Sequence, residues 1–78
     1  MRSNKKQAKV LGTSIREATG VPRVVANQIA QAHVAGAAAE LRGHWNSPSP
    51  TMVAVASAVR VVQGQVMVVG PRGSVTLE

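Results

Sequence analysis

The sequence contains no cysteine, no phenylalanine and no tyrosine, and a single tryptophan, Trp45. Without cysteine, the chain can form neither a disulfide nor a thiolate metal site. Without a row of aromatic side chains, it offers no platform on which unpaired bases could stack, so single-stranded nucleic acid ranks last among nucleic-acid ligands. Any core must be built from valine, alanine, leucine and isoleucine.

Acidic residues are almost as scarce. The chain has three of them, Glu17, Glu40 and Glu78. They form no carboxylate pair for general acid–base chemistry or for a hard metal ion. His33 and His44 have no cysteine or aspartate to complete a ligand set, and the segment 70–73 lacks the Gly-Lys-Ser/Thr ending of a phosphate loop. We therefore expect no enzyme activity, no cofactor, no metal and no small-molecule substrate.

Long apolar runs are also missing. The basic N-terminus is not followed by the sustained apolar stretch of a secretory signal. The valine-rich stretch 52–62 is too short to span a bilayer and contains Arg60. These features predict a cytoplasmic protein that does not associate with membranes.

The length of 78 residues suits one small domain. A domain of this size buries only about 60 % of the surface that its unfolded chain exposes. Small aliphatic side chains fill little volume, which favours a homodimer whose core is completed between the subunits. We therefore expect a homodimer.

Positive charge is the strongest compositional feature. Nine Lys and Arg residues against three acids give a net charge of +6. Such an excess can simply keep a small domain soluble, or it can indicate that the protein binds a polyanion. The distribution favours a polyanionic partner, because the first 23 residues hold six of the cations and only one acid, Glu17. These six cations are Arg2, Lys5, Lys6, Lys9, Arg16 and Arg23.

The first part of the chain predicts helices. Residues 1–11 read as a helix or a basic arm, with a possible cap at Ser3 or Asn4. Gly12 is expected to interrupt this segment. Ser14, with Glu17 three residues later, has the spacing of a capping box, which predicts that another helix starts there.

That helix is expected to stop at Gly20, since glycine takes the left-handed conformation without steric penalty. Pro22 suits the first turn of a further helix, which can run to about Leu41. At 100° per residue, one face of this helix is centred on the apolar Ile29. That face also holds Pro22, Val25, Ala26, Ala32, His33 and Gly36. The opposite side holds Arg23, Val24, Asn27 and Gln31, with Gln28 at the border.

We expect a helical region with a basic N-terminus at 1–43 and a linker at 44–50. Residues 51–78 should form a valine-rich helix or strand followed by a β-hairpin, as part of the same domain or as a dimerisation element. Trp45 should cap one end of the core or contact a partner. Residues 51–63 have both helical and alternating valine spacings, and the helix is favoured over the strand. The runs QVMVV and SVTLE, joined by Gly-Pro-Arg-Gly, predict a β-hairpin.

The span 12–31 resembles the helix-turn-helix of small bacterial repressor-like regulators, in which a Thr-Gly-Val-Ser/Pro corner joins the positioning helix to the recognition helix. With Gly20 aligned on the turn glycine, the apolar sites that lock the helices together fall on Ile15, Val21, Ala26 and Ile29. Arg16 departs from the pattern, because the family usually has a small residue there. Arg16 must then extend outward, or the helix crossing must open. The implied fold is mainly α with a C-terminal β-hairpin (α+β), with a helix-turn-helix core.

The resemblance implies that five groove-facing side chains contact bases. These are Arg23, Val24, Asn27, Gln28 and Gln31, the same residues that the helical period leaves on or next to the exposed side. Arginine can bind guanine and asparagine or glutamine can bind adenine, each through two hydrogen bonds, and Val24 can pack on a thymine methyl group. Phosphates would be bound by Lys5, Lys6, Lys9, Arg16 and Arg72.

The hairpin, with Arg72 at its tip, resembles the wing of winged-helix proteins. Alternatively, its edge pairs with the same strand of a second subunit. The expected function is sequence-specific double-stranded DNA binding by a small transcriptional regulator of bacterial, phage or plasmid origin. The alternative is a protein interaction module, antitoxin-like or an inhibitor, that uses the valine-rich C-terminal half.

Overall fold

The structure is a computed structural model that describes the backbone of residues 2–78 and the side chains from Lys5 onward. In chain order, its elements are α1 (Arg2–Thr19), α2 (Arg23–Val34), a 3₁₀ helix (Ala38–Asn46), α3 (Pro50–Ala58), β1 (Val59–Val62), β2 (Gln65–Gly70) and β3 (Gly73–Thr76). Helices therefore precede an antiparallel sheet, as the α+β prediction required. Within the described residues, no helix has the length and apolar character needed to cross a membrane.

Helix α1 is one continuous helix, so the predicted interruption at Gly12 and the predicted helix start at Ser14 are wrong. Gly12 is buried against α2, and a Cβ placed on it would lie 2.5 Å from Oδ1 of Asn27. The close approach of the two helices explains why a poor helix former is found in mid-helix. The side chains of Ser3 and Asn4, the predicted caps, lie outside the described residues.

The corner between α1 and α2 has the predicted glycine, since α1 ends at Thr19 and Gly20 has a φ of +79°. Pro22 was expected in the first turn of α2 but is its N-cap, so α2 begins one residue later, at Arg23. The buried Thr19 fixes the corner from inside, since its hydroxyl donates to the carbonyl of Ile15 at 2.7 Å and accepts from the Val21 N–H at 3.3 Å. The turn between the two helices is therefore held by side-chain hydrogen bonds as well as by glycine.

Helix α2 ends at Val34 rather than near Leu41, which corrects the predicted length. Gly36 has a φ of +78°, and its N–H donates to the carbonyl of His33 at 3.0 Å. The Ala37 N–H donates to the carbonyl of Ala32 at 2.8 Å. These bonds form a Schellman motif, which terminates a helix at glycine.

The face that α2 buries is close to the predicted one. It consists of Val25, Ala26, Ile29 and Ala30. Pro22 and Gly36, which were predicted on this face, are exposed because they lie beyond the ends of the helix.

The segment after α2 differs from the prediction in two respects. The 3₁₀ segment is kinked at His44 and extends to Asn46, so it includes the first residues of the predicted linker. Trp45, in this helix, is 51 % exposed, so it does not cap the core. The irregular connection is reduced to the three residues before Pro50.

Residues 51–63 contain both of the structures that the sequence left open. Ser49 caps α3 by accepting the Met52 N–H at 3.3 Å, and Pro50 occupies the first turn. The helix ends at Ala58, and the next residue begins β1. The favoured helix is therefore correct for the first part of the segment and wrong from Val59 onward.

The sheet has the order β1-β2-β3, and both pairs are antiparallel. Gln63 and Gly64 connect β1 to β2 with φ values of +53° and +79°, as in the type I′ turn of a two-residue hairpin. The predicted hairpin is confirmed as β2 and β3, which close with Gly70 opposite Gly73. The first hairpin was not predicted.

The hydrophobic core draws on both halves of the chain. Its largest fully buried aliphatic side chains are Ile15, Ile29, Val55, Val59 and Val68. Leu77 is also buried, and its N–H donates to the carbonyl of Val66 at 2.8 Å. The sheet thus supplies one wall of the core that α1 and α2 cover.

The β2–β3 tip is docked on the corner between α1 and α2. The N–H of Arg72 donates to the carbonyl of Thr19 at 2.8 Å. A Cβ on Gly70 would collide with the same carbonyl, so only glycine permits this approach. The position of the tip is therefore set by backbone contacts.

We expect Gly70→Ala to lower the free energy of unfolding by about 1–3 kcal/mol, because the added methyl group meets rigid backbone. Gly43→Ala is the matched control, since a Cβ there meets nothing within 4 Å. Urea unfolding of the two variants measures the difference. Equal stability of both variants would show that the tip is not tightly docked.

Candidate nucleic-acid interface

Two adjoining depressions lie along the seam between α1 and α2, and together we call them the seam groove. At one end Lys5 faces Gln31, and at the other Arg16 faces Arg23, so the two helices run antiparallel. Lys9 and Asn27 line both parts, so the two parts adjoin at these side chains. Its described lining residues are Lys5, Ala8, Lys9, Gly12, Thr13 and Arg16 from α1, with Arg23, Asn27, Gln31, Val34 and Ala35 from the region of α2.

The seam groove is positively charged. Along α1, Lys5, Lys9, Thr13 and Arg16 follow one another at spacings of four, four and three residues. These spacings place them on one helix face. Arg23 adds a cation from α2, and none of the described residues that line the groove is acidic. Like charges gathered in this way repel one another, and a bound polyanion would relieve that repulsion.

The exposed surface of α2 extends beyond the groove. From Arg23 to Gln28 the exposed positions span an arc of about 140° at 100° per residue. Asn27 and Gln31 lie on the side of this arc next to α1, whereas Val24, which is 55 % exposed, and Gln28 lie on the far flank. The five predicted base-contacting residues are thus all exposed, and three of them line the seam groove.

The predicted phosphate-binding residues lie in different places, and only some of them line the seam groove. Lys5, Lys9 and Arg16 line the seam groove. Lys6 lines a separate depression on α1 together with Val10 and Leu11. The structure therefore brings three of these cations into one site with Arg23, Asn27 and Gln31, but not Lys6.

Arg72 has a different role in the structure. Its guanidinium donates to the carbonyl of Glu17 at 2.8 Å, and its own N–H binds the carbonyl of Thr19. The last carbonyls of an α-helix have no partner within the helix, and a cation near them is favoured by the helix dipole. Arg72 therefore caps α1, and the hairpin tip is packed against the protein instead of projecting as a wing.

Arg16, which departs from the helix-turn-helix pattern, is half-buried and lines the groove beside Arg23. Gly12, one turn earlier, packs against Asn27 of α2. The long side chain of Arg16 is accommodated because it extends into the groove. An outward Arg16 is one of the two outcomes that the resemblance left open, the other being an opened helix crossing.

Sequence reasoning missed five residues that line the site: Ala8, Gly12, Thr13, Val34 and Ala35. Gly12 was missed because it was expected to interrupt the helix. The signal that could have identified Gly12 and Thr13 is the uninterrupted stripe from Lys5 to Arg16, since this stripe needs a helix that continues through Gly12. Thr13 has its hydroxyl engaged with the carbonyl of Lys9 at 3.1 Å.

The histidines lie outside the seam groove. Nε2 of His33 and the backbone oxygen of Glu78 are 2.7 Å apart. In the part of the chain that the structure describes, no three His, Asp or Glu side chains are arranged to hold a metal ion.

Comparison of the chain with models of protein families, with curated proteins and with solved structures found no match. Function therefore has to be inferred from the geometry and charge of the seam groove.

We expect Arg72→Ala to lower the free energy of unfolding by about 1 kcal/mol, because it removes a charge-assisted hydrogen bond from the end of α1. Arg42→Ala removes the same charge from the exposed part of the 3₁₀ helix and serves as control. Thermal unfolding and hydrogen exchange in the last turn of α1 are the measurements. If exchange there is unchanged in Arg72→Ala, the guanidinium is not a helix cap.

Proposed function

We propose that the chain is a sequence-specific double-stranded DNA-binding protein, which acts as a small transcriptional regulator. The observation that carries this proposal is the seam groove, where cations from two helices flank Asn27 and Gln31 and no described lining residue is acidic. Cations can position a protein on phosphates, whereas amide side chains can distinguish bases. Both kinds of group lie here on adjacent helices.

The dimensions of the two helices suggest how the protein would dock. A helix with its side chains is about 10–12 Å wide, and packed helices are about 8–10 Å apart. The major groove of B-DNA is about 12 Å wide and admits only one of them. We assign that place to α2, because its exposed arc carries the amide side chains. Helix α1 then lies over the phosphates at the edge of the groove.

In this arrangement the face of α1 that carries Lys5, Lys9 and Arg16 lies against the backbone of one DNA strand. Arg23 can donate two hydrogen bonds to guanine, and Asn27 or Gln31 can bind adenine through its donor and acceptor. Val24 and Gln28, on the far flank of α2, would meet the other side of the groove. Each two-bond contact would contribute about 1–3 kcal/mol of discrimination.

The proposal retains the helix-turn-helix resemblance with one change. The Gly20 corner and the burial of Ile15, Val21, Ala26 and Ile29 support the assignment of α2 as a recognition helix. In a helix-turn-helix the two helices meet at about 90–120°. Here α1 lies beside α2 along most of the seam, so α1 would contribute more of the phosphate contacts than a positioning helix usually does.

A homodimer remains part of the proposal. Two α2 helices held about 34 Å apart would read a palindromic site. The sheet has two edge strands, β1 and β3, and either could pair with the same strand of a second copy. A free wing is not part of the proposal, because Arg72 is engaged with α1.

One observation favours the alternative of a protein interaction module. Trp45 is 51 % exposed, and exposed aromatic side chains are frequent anchors of protein interfaces. Stoichiometric capture of one protein, lost in Trp45→Ala and accompanied by no duplex affinity at low salt, would favour this alternative.

We expect Lys9→Ala to reduce the dependence of duplex affinity on salt by about one unit of the log–log slope, because one phosphate contact is lost. Lys6→Ala is the matched control, since both lysines are exposed on α1 but only Lys9 lines the seam groove. Fluorescence anisotropy with one duplex at several salt concentrations measures the slopes. Equal slopes for the two variants would contradict the proposed docking face.

Selection from a random duplex library tests sequence preference. Asn27→Ala should lose about 5- to 150-fold of discrimination at one base pair, since a contact made through two hydrogen bonds is removed. The exposed Gln7, outside the seam groove, provides the control Gln7→Ala. A wild-type protein that selects no sequence would refute the proposed function.

A further inference from the structure

The seam groove has a notch at Gly12 that the proposed function does not by itself require. Gly12 is buried in the middle of α1, directly opposite Asn27 of α2. A Cβ at this position would lie 2.5 Å from Oδ1 of Asn27, and 3.6 Å from its Cα and Cγ. Only the side-chain oxygen is too close, so the missing Cβ creates space for the amide of Asn27 and for little else.

We propose that Gly12 is a positioning residue for Asn27, and that it thereby sets which base pair the site prefers. The inference rests on the proposed function. A contact that uses both the donor and the acceptor of an amide depends on the orientation of the amide plane. The notch at Gly12 holds one end of that plane against α1. A methyl group in the notch would displace Oδ1 without removing any charge or hydrogen-bonding group from the groove.

The surroundings of the notch support a role in orientation. Lys9 and Asn27 line both parts of the groove, so the amide lies where the two parts meet. The neighbouring Thr13 donates its hydroxyl to the carbonyl of Lys9 at 3.1 Å, so that proton is not offered to the amide. Packing against the backbone of Gly12 is then the contact that distinguishes one orientation of Asn27 from another.

A glycine in a helix interior is otherwise unfavourable, because alanine forms helix more readily. Since the atom that a methyl group would meet is the end of a flexible side chain, Gly12→Ala should fold. The helix backbones should remain in place while Asn27 changes its rotamer. The variant therefore separates the orientation of the amide from the stability of the domain.

The test compares Gly12→Ala with Gly43→Ala, where an added Cβ meets nothing within 4 Å. The side-chain amide signals of Asn27 in a proton–nitrogen NMR spectrum should shift in Gly12→Ala and stay in place in Gly43→Ala. In selection from a random duplex library, Gly12→Ala should lose preference at the base pair that Asn27→Ala affects. Its salt dependence of binding should equal that of the wild type.

The double variant Gly12→Ala/Asn27→Ala decides whether the two residues act through one contact. It should show the same preference as Asn27→Ala alone, because residues that act through the same group are not additive. Additive losses, or unchanged preference in Gly12→Ala beside a selective wild type, would overturn the positioning role and leave the proposed function standing. A wild type that selects no duplex would overturn both.

Discussion

The backbone contact between the β2–β3 tip and the end of α1 is the constraint on which the arrangement of the molecule depends. The carbonyl of Thr19 accepts the Arg72 N–H, and Gly70 permits that approach. The guanidinium of Arg72 binds a second carbonyl of α1, that of Glu17. One residue of the C-terminal half therefore binds two of the terminal carbonyls of the N-terminal helix. The sheet is fixed relative to the corner, and α1 and α2 cover the core that the sheet closes.

This arrangement leaves the seam groove on the outside. The apolar sides of α1 and α2 face the core, and three cations of α1, Lys5, Lys9 and Arg16, lie beside the polar arc of α2. Lys9, Arg16 and Arg23 line this groove without a carboxylate among the described lining residues. Under the proposed function, these cations would face the phosphates of the DNA.

Predictions from single residues were correct where a residue determines the backbone conformation of its immediate neighbours. Gly20 predicted the end of α1, and the Gly-Pro-Arg-Gly segment predicted the second hairpin. They failed at Gly12, where packing between α1 and α2 outweighs helix propensity. The helical period placed the polar face of α2 correctly, because the 3.6-residue repeat of an amphipathic helix does not depend on its partner.

By itself, the sequence determined the net charge, the N-terminal concentration of cations, the order of helices before a hairpin and the exposed face of α2. Each of these follows from residue type and from spacing within one element. Only the tertiary structure decided that Lys9 shares a groove with Asn27 while Lys6 does not, and that Arg72 binds α1. The physical reason is that these are contacts between elements, and their register is set by core packing and by close backbone approach at glycine.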